Sequence, residues 1–478
     1  MIPMARIEGS SRYQRLMLGP SLDEIVDAEH PVRVVDAFVE TLDLTALGFA
    51  NIEPEATGRP GYKPSDLLKL YIYGYAHQMR SSRRLEAEAM RNIEVQWLIN
   101  RLAPSFKTIA DFRKDNACAV VAVCRAFVQF CRAQSLCGGT LVAIDGTKLE
   151  AVASRKKAIT AKALAKEVAE IDAKIERYLA AMDEADREEQ AEAQPPKVAA
   201  ALEALRQKRA MIQAQSEDLA RDGLTQKVEG EADARLMKTA RHGHQVAYNA
   251  QSAVDARHGL IVAFELTNDC NDQCQLLPMA QAAKAELAVE SLTVVADTGY
   301  SNGEQGTACE AEGITPVVPR QQTVNTSNDQ FFPREAFSYD RASDSWTCPA
   351  GKNLERYTVS HTEQKVVYKA TACSNCALKP RCTKASKRTV SRHFFEDARE
   401  IMHQRARADK SFMQQRRELV EHPFGTMKWL MGSPRFLVRG LRKARAELAL
   451  TVLGFNLKRT ISLLGSAGLA AALKAQAP

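Results

Sequence analysis

Arg417, Glu421 and Lys428 stand in the stretch Arg417-Glu418-Leu419-Val420-Glu421-His422-Pro423-Phe424-Gly425-Thr426-Met427-Lys428, separated by three and then six intervening residues. On a helix Arg417 and Glu421 lie one turn apart on one face, and Lys428 falls two turns further along it. A carboxylate between two cations suits phosphate chemistry: arginine and lysine grip the anion, and the carboxylate holds a divalent metal. The same spacing is also that of an ordinary exposed ion pair, and the stretch alone favours neither reading. Pro423 and Gly425 are expected to kink the helix, which bears most on the placement of Lys428. His422 is assigned no role, because a lone histidine is more often a structural hydrogen-bonder.

Two further carboxylates stand in a matching setting. Thr140-Leu-Val-Ala-Ile-Asp145-Gly146 and Ser291-Leu-Thr-Val-Val-Ala-Asp297-Thr-Gly299 are both short apolar runs closed by an acid and then a glycine. Such a run reads as a buried strand whose C-terminal end presents its carboxylate to a cleft. Between them, His244 to Val254, a turn at Asp255 to Gly259, and Leu260 to Leu266 form a predicted β-hairpin, followed by a helix over Cys274 to Val289. A helix over Gly303 to Glu312 and a strand over Ile314 to Val318 come next. The result is a mixed α/β sheet with both acids along one edge, where ligand sites tend to lie. Tyr248 and Asn249, on a predicted core strand, are read as structural.

The elements around this core differ in kind. Residues 15–135 are predicted helical, with a helix opening after Pro64, another over Leu85 to Asn100, and one from a Thr108 cap through Ile109 to Gln134. Arg80, Arg83 and Arg84 cluster at a turn there, a candidate DNA contact. Leu164, Val168, Ile171, Ile175, Tyr178 and Met182 recur at heptad spacing, and after Pro195-Pro196 the pattern resumes. Residues 158–221 therefore read as an antiparallel helical hairpin inserted after the first strand. Residues 320–400 are polar, with short β-like segments and Cys348, Cys373, Cys376 and Cys382, a set able to give zinc four sulfur ligands. Leu448 to Leu473 reads as a packed helix pair rather than a membrane span, because Asn456, Lys458 and Arg459 interrupt it.

At 478 residues the chain exceeds one simple core, and its 45% hydrophobic and 26% charged content is that of a soluble globular protein. The net charge of +7 is uneven: Lys384 to Arg445 holds 16 Lys and Arg against 6 Asp and Glu. That patch calls for a polyanionic partner, with nucleic acid foremost. Met1 to Gln14 has no signal-type apolar run, and the eleven cysteines are read as reduced thiols or metal ligands in a cytoplasmic protein.

Four stretches together resemble the bacterial insertion-sequence transposases of the DDE class. They are Ile144-Asp145-Gly146-Thr147, Ala247-Tyr248-Asn249-Ala250-Gln251 with Val254-Asp255, Val295-Ala-Asp297-Thr-Gly299-Tyr300, and Arg417 to Lys428. Gly61 to Asn116 resembles the family's accompanying N-terminal domain. In the family's last motif a tyrosine precedes the arginine; Gln414 holds that place here, and Glu421 rather than Glu418 holds the glutamate place.

The resemblance implies a ribonuclease-H-like mixed sheet as the catalytic core. Residues 139–157 and 222–320 would form its first part and the C-terminal helices of 401–478 would complete it. A helical N-terminal domain (1–138), the hairpin and a Cys-rich insertion (321–400) would accompany it. It implies Asp145, Asp297 and Glu421 as ligands of two Mg²⁺ or Mn²⁺ ions, with Asp145 bridging, and Arg417 and Lys428 as phosphate contacts. The partner implied is double-stranded DNA, both transposon ends and target, with the chain a homodimer on DNA, associated with the nucleoid and with no membrane. The reaction implied is cleavage at the element's ends and transfer of the freed 3′-OH into target. The alternatives are a nuclease of the same fold without strand transfer and a non-catalytic DNA-binding derivative.

Overall fold

The structure is a computed structural model that describes residues 19–53, 61–187, 195–239, 243–320, 331–432 and 434–476, without the side chains of 183–187 and 195–199. Met1 to Gln14, read above for a signal, lies outside them. The chain divides into two compact units: Met1–Phe127, Met427–Ser433 and Ala446–Pro478 in one, Val128–Thr426 and Pro434–Arg445 in the other.

The first unit is helical. Its centre is the helix Pro64–Ala76, started by a proline at its first turn and buried along nearly its whole length. Phe38, Tyr71, Tyr75, Phe127 and Phe455 fill the space around it. The Tyr71 hydroxyl donates to the Ile109 carbonyl at 2.7 Å, so the ring is buried without stranding its polar end. The predicted helix over Leu85 to Asn100 is two, Ser82–Arg91 and Ile93–Leu98, because the Asn92 side chain accepts from Glu94 and Val95 N–H and caps the second. Ser105 rather than Thr108 caps Phe106–Asp115, and the chain then bends by 75° into Ala117–Ala133. No single described helix is long and apolar enough to cross a membrane.

The C-terminal helix Leu441–Lys474 breaks at Gly465, whose φ of 71° no L-residue adopts cheaply, so the predicted helix pair is present. Its residues from Ala446 onward belong to this first unit, not to the sheet domain that 401–478 was expected to complete. Two features fix it there. Gly454 lets its backbone approach Ala76 and Tyr75, where a built Cβ would stand 3.4–3.5 Å away. Buried Glu447 accepts from Arg80 at 2.8 Å.

The second unit is built on a six-stranded sheet. Leu141–Glu150 is its central strand, antiparallel to Gly243–Asp255 on one side and parallel to Leu292–Val295 on the other, with Ile314–Val317 parallel beyond that. The far edge of Gly243–Asp255 is shared end to end by Arg235–Thr239 and Ile261–Thr267. Leaving Arg235–Thr239 aside, the order runs third, second, first, fourth, fifth strand, three antiparallel then two parallel, with Leu276–Leu287 and Gly303–Ala311 as the crossover helices. That is the ribonuclease-H-like arrangement.

Strand alternation sorts the central strand between two cores. Val142 and Ile144 face Leu276, Met279, Ala283 and Met402, whereas Ala143 packs with Val295, Val317, Ala406 and Val420. The second face is covered by the helix Ser411–Leu430, which runs unbroken through Pro423.

Two insertions extend this unit. Ala161–Arg187 and Pro195–Arg221 pair along Leu164, Ile171, Ile212 and Leu219, closed at the base by Ala158–Thr160 against Gln226–Val228. The Cys-rich segment, read from sequence as polar with short β-like segments, forms a five-stranded antiparallel meander from Ser338–Asp340 to Thr389–His393 around Phe337, Trp346, Leu354, Tyr368 and Val390.

Candidate active site

Asp145 lies in the middle of its strand, not at the end as its apolar run suggested. The parallel neighbour pairs only with Leu141, Val142 and Ala143, so the central strand reaches Asp145 after that neighbour has ended. Alternation turns Asp145 to the same face as Ala143, under the helix Ser411–Leu430. Asp297 follows Leu292–Val295, and its side chain accepts from Gly299 N–H at 2.8 Å. The two aspartates converge on one cation: Arg416 Nη2 stands 2.8 Å from Asp145 Oδ1 and 3.5 Å from Asp297 Oδ2.

Burial pushes the Asp145 carboxyl up to about 6; Arg416 pulls it down, while Asp297 and Asp272 push it further up. Asp145 is therefore a carboxylate kept in a poorly solvated place with two like charges nearby, where a cation is worth most.

Asp272 completes the acidic side of the site. Its Oδ1 accepts from Asn249 Nδ2 and Gln251 Nε2, each at 2.7 Å, and from Lys148 Nζ at 3.2 Å. The Tyr300 hydroxyl donates in turn to Gln251 Oε1. The two motif glycines leave room for this network. A Cβ at Gly146 would stand 2.4 Å from Gln251 Nε2 and 2.9 Å from Asp272 Oδ1, and one at Gly299 would stand 2.9 Å from Asp297 Oδ1. Asn249, read as structural, is thus a support of the site, while Tyr248 is buried and donates to Glu231 at 3.0 Å.

Glu421 is exposed, one residue beyond buried Val420, and makes no hydrogen bond or ion pair with either aspartate. The ordinary ion pair between Arg417 and Glu421 is not formed either; Glu418 instead accepts from Gln414, the residue at the departed tyrosine position, at 3.1 Å. Lys428 is exposed and belongs to the first unit. So do Arg83 and Arg84, both exposed, with the Arg83 guanidinium 5.1 Å from the Phe106 ring centre. Arg80 corrects the expectation made for it: it is 7% exposed and paired to a fully buried glutamate, so it holds the helices together and is no phosphate contact.

Arg416 and Asp272 escaped the sequence reading. Arg416 had a signal, since it precedes buried Val420 by four residues and therefore shares its face, which Arg417 does not. Asp272 had none, being one acid in a polar turn.

Among the described residues no group of three or more His, Cys, Asp or Glu side chains is placed to hold a metal ion. Two observations nonetheless fit divalent ions at the aspartates: both carboxylates already serve one cation, and the donors are hard oxygens. Cys348, Cys373, Cys376 and Cys382 line one small cavity. The Lys352 N–H points at Cys348 Sγ at 3.3 Å. Burial raises the Cys382 thiol, and the other three sulfurs add to that rise.

Residues 347–461 match the family model described as transposase DDE domain, and residues 20–115 match one described as transposase domain DUF772. Both family models are of transposases, and each covers about a quarter of the chain or less. The first match takes in Arg417, Glu421 and Lys428 and begins beyond both aspartates; the second takes in Arg80, Arg83 and Arg84. Transposases of the DDE family generally bind DNA and use divalent metal ions. Among curated proteins no sequence match is found. A solved structure of a piggyBac transposase synaptic complex with hairpin DNA matches at 9% identity and a TM-score of 0.34, over 95% of this chain and 80% of that one. That likeness is too loose to argue from.

Proposed function

We propose that this protein is a DDE transposase that cuts double-stranded DNA at the ends of its insertion sequence and joins the freed 3′-OH to target DNA, with Asp145, Asp297 and Glu421 as the acidic trio. The observation that carries the reading is the convergence of Asp145 and Asp297, 152 positions apart in the chain, on a single cation. Two Mg²⁺ or Mn²⁺ ions at these residues would activate the attacking oxygen and neutralise charge on phosphorus and leaving group. Asp145 would be the ligand shared by the two ions, with the charges of Asp297 and Asp272 near it. Glu421, exposed one residue beyond Val420 on the helix that docks on their face, would have to turn toward the pair when metal binds. Arg417 and Lys428 grip phosphates beside the reacting end, and Arg83 and Arg84 hold DNA on the helical unit; these contacts position DNA and do not read bases.

Two ends must be paired before transfer, which calls for a homodimer on DNA, acting at the nucleoid in the cytoplasm. A zinc ion held by Cys348, Cys373, Cys376 and Cys382 belongs to the same proposal as a structural centre, closed by four sulfurs and so without an open position for chemistry.

The test is a strand-transfer assay with pre-cleaved element ends and Mg²⁺. Asp145→Asn, Asp297→Asn and Glu421→Gln should each lower joining by at least about 10³-fold while end binding stays near wild type, as expected where a charge needed only for the transition state is lost. A Glu421→Gln variant that joins at the wild-type rate would remove that residue from the trio.

A further inference from the structure

We infer that Arg416 competes with divalent metal for the Asp145–Asp297 pair, holding the two carboxylates until an entering ion takes its place. The inference rests on the metal reading of those aspartates. One nitrogen, Nη2, serves both carboxylates, at 2.8 Å and 3.5 Å, so an ion bridging the same two oxygens needs the volume that nitrogen fills. The rest of the guanidinium is lightly held: its Nε is buried and has no hydrogen-bond partner. Arg416 is therefore fixed chiefly by the carboxylates themselves, and once they are taken it has little to keep it in place. Its side chain keeps 18% of its surface exposed and lies between exposed Gln415 and Arg417, so a swing to solvent or to a DNA phosphate is open to it.

A guanidinium in this position does three things. It balances two carboxylates that would otherwise repel each other, and it raises the concentration of metal needed to load the site. It also delivers a released arginine beside the ion at the moment of loading, on the side of the helix where phosphate must arrive. A residue that ligated metal indirectly, by orienting the carboxylates, would have the opposite signature, since its removal would weaken metal binding.

The experiment is calorimetric titration of Mn²⁺ into the full-length chain without DNA, comparing wild type, Arg416→Gln and Arg416→Lys. Competition predicts that Arg416→Gln binds Mn²⁺ about tenfold more tightly, the shift expected when one charge-assisted contact no longer has to be broken. Arg416→Lys, which keeps the charge without the planar fork, should fall between the two. Circular dichroism in chelator checks folding, and if the glutamine variant does not fold, the lysine variant carries the comparison alone. Equal or weaker Mn²⁺ binding by the folded variant, with wild type binding measurably, overturns the inference. No Mn²⁺ binding by wild type, or binding undiminished in Asp145→Asn, overturns the metal reading beneath it instead.

Discussion

At the scale of single residues, Asp145 carries the sharpest pH signature. Its raised value comes from burial first, with Asp297 and Asp272 adding to it and Arg416 opposing. A carboxyl that binds its proton more tightly folded than unfolded stabilises the protein below its ordinary value near 4. That contribution is lost as pH rises through about 6. Each unit of such a shift is worth about 1.4 kcal/mol. In chelator, urea unfolding between pH 4 and about 6.5 should therefore show wild type losing stability relative to Asp145→Asn as pH rises; a constant difference across that window counts against the assignment. Divalent-ion affinity should weaken as pH falls below about 6, for the proton then competes with the ion. The two aspartates were legible in the sequence because an apolar run closed by Asp, with a glycine one or two residues on, occurs twice. Arg416 was hidden beside Arg417, and only the burial of Val420 shows which of the two faces the sheet. The expectation for Arg80 failed because sequence shows charge and not exposure.

At the scale of elements, the strands and crossover helices of the core were readable, since alternation and helical spacing are written locally. The heptad seam of 158–221 was equally plain. What was not readable was the order inside 338–393, whose strands are short and whose core is only Phe337, Trp346, Leu354, Tyr368, Ala370, Cys373 and Val390. A core that small is marginal alone, and natural domains of this size commonly add a metal or disulfides. The four-cysteine cavity sits against it, with Cys373 itself part of that core. The expected outcome is one zinc per chain by native mass spectrometry, lost in a Cys373→Ser, Cys376→Ser double variant. Hydrogen exchange over 338–393 should then rise at least about tenfold while the strands 141–150 and 243–255 keep their protection. A double variant that retains its zinc, or a wild type that carries none and is indifferent to chelator, would dismiss the centre.

At the scale of the whole molecule, the chain passes between its two units four times, and at Phe127, Thr426 and Arg445 it does so inside continuous helices. No change of composition marks these three crossings, which is why the C-terminal helix was assigned to the sheet unit. The proposed DNA contacts are divided in the same way, Arg417 on one unit and Lys428, Arg83 and Arg84 on the other. Binding that draws on both makes a prediction about salt. Each phosphate contact releases counterions, so the slope of log K against log salt changes by about 0.9 per contact removed. Arg417→Gln, Lys428→Gln, Arg83→Gln and Arg84→Gln should each make that slope shallower by about one, on specific and random duplexes alike, because phosphate contacts carry no sequence information. Arg80→Gln should differ in kind. It breaks the buried ion pair with Glu447, which costs up to about 3–5 kcal/mol of folding stability, while the slope of the protein that remains folded stays at the wild-type value. An Arg80 variant with a shallower slope and unchanged stability would return that residue to the DNA surface and move the buried pair out of the structural account.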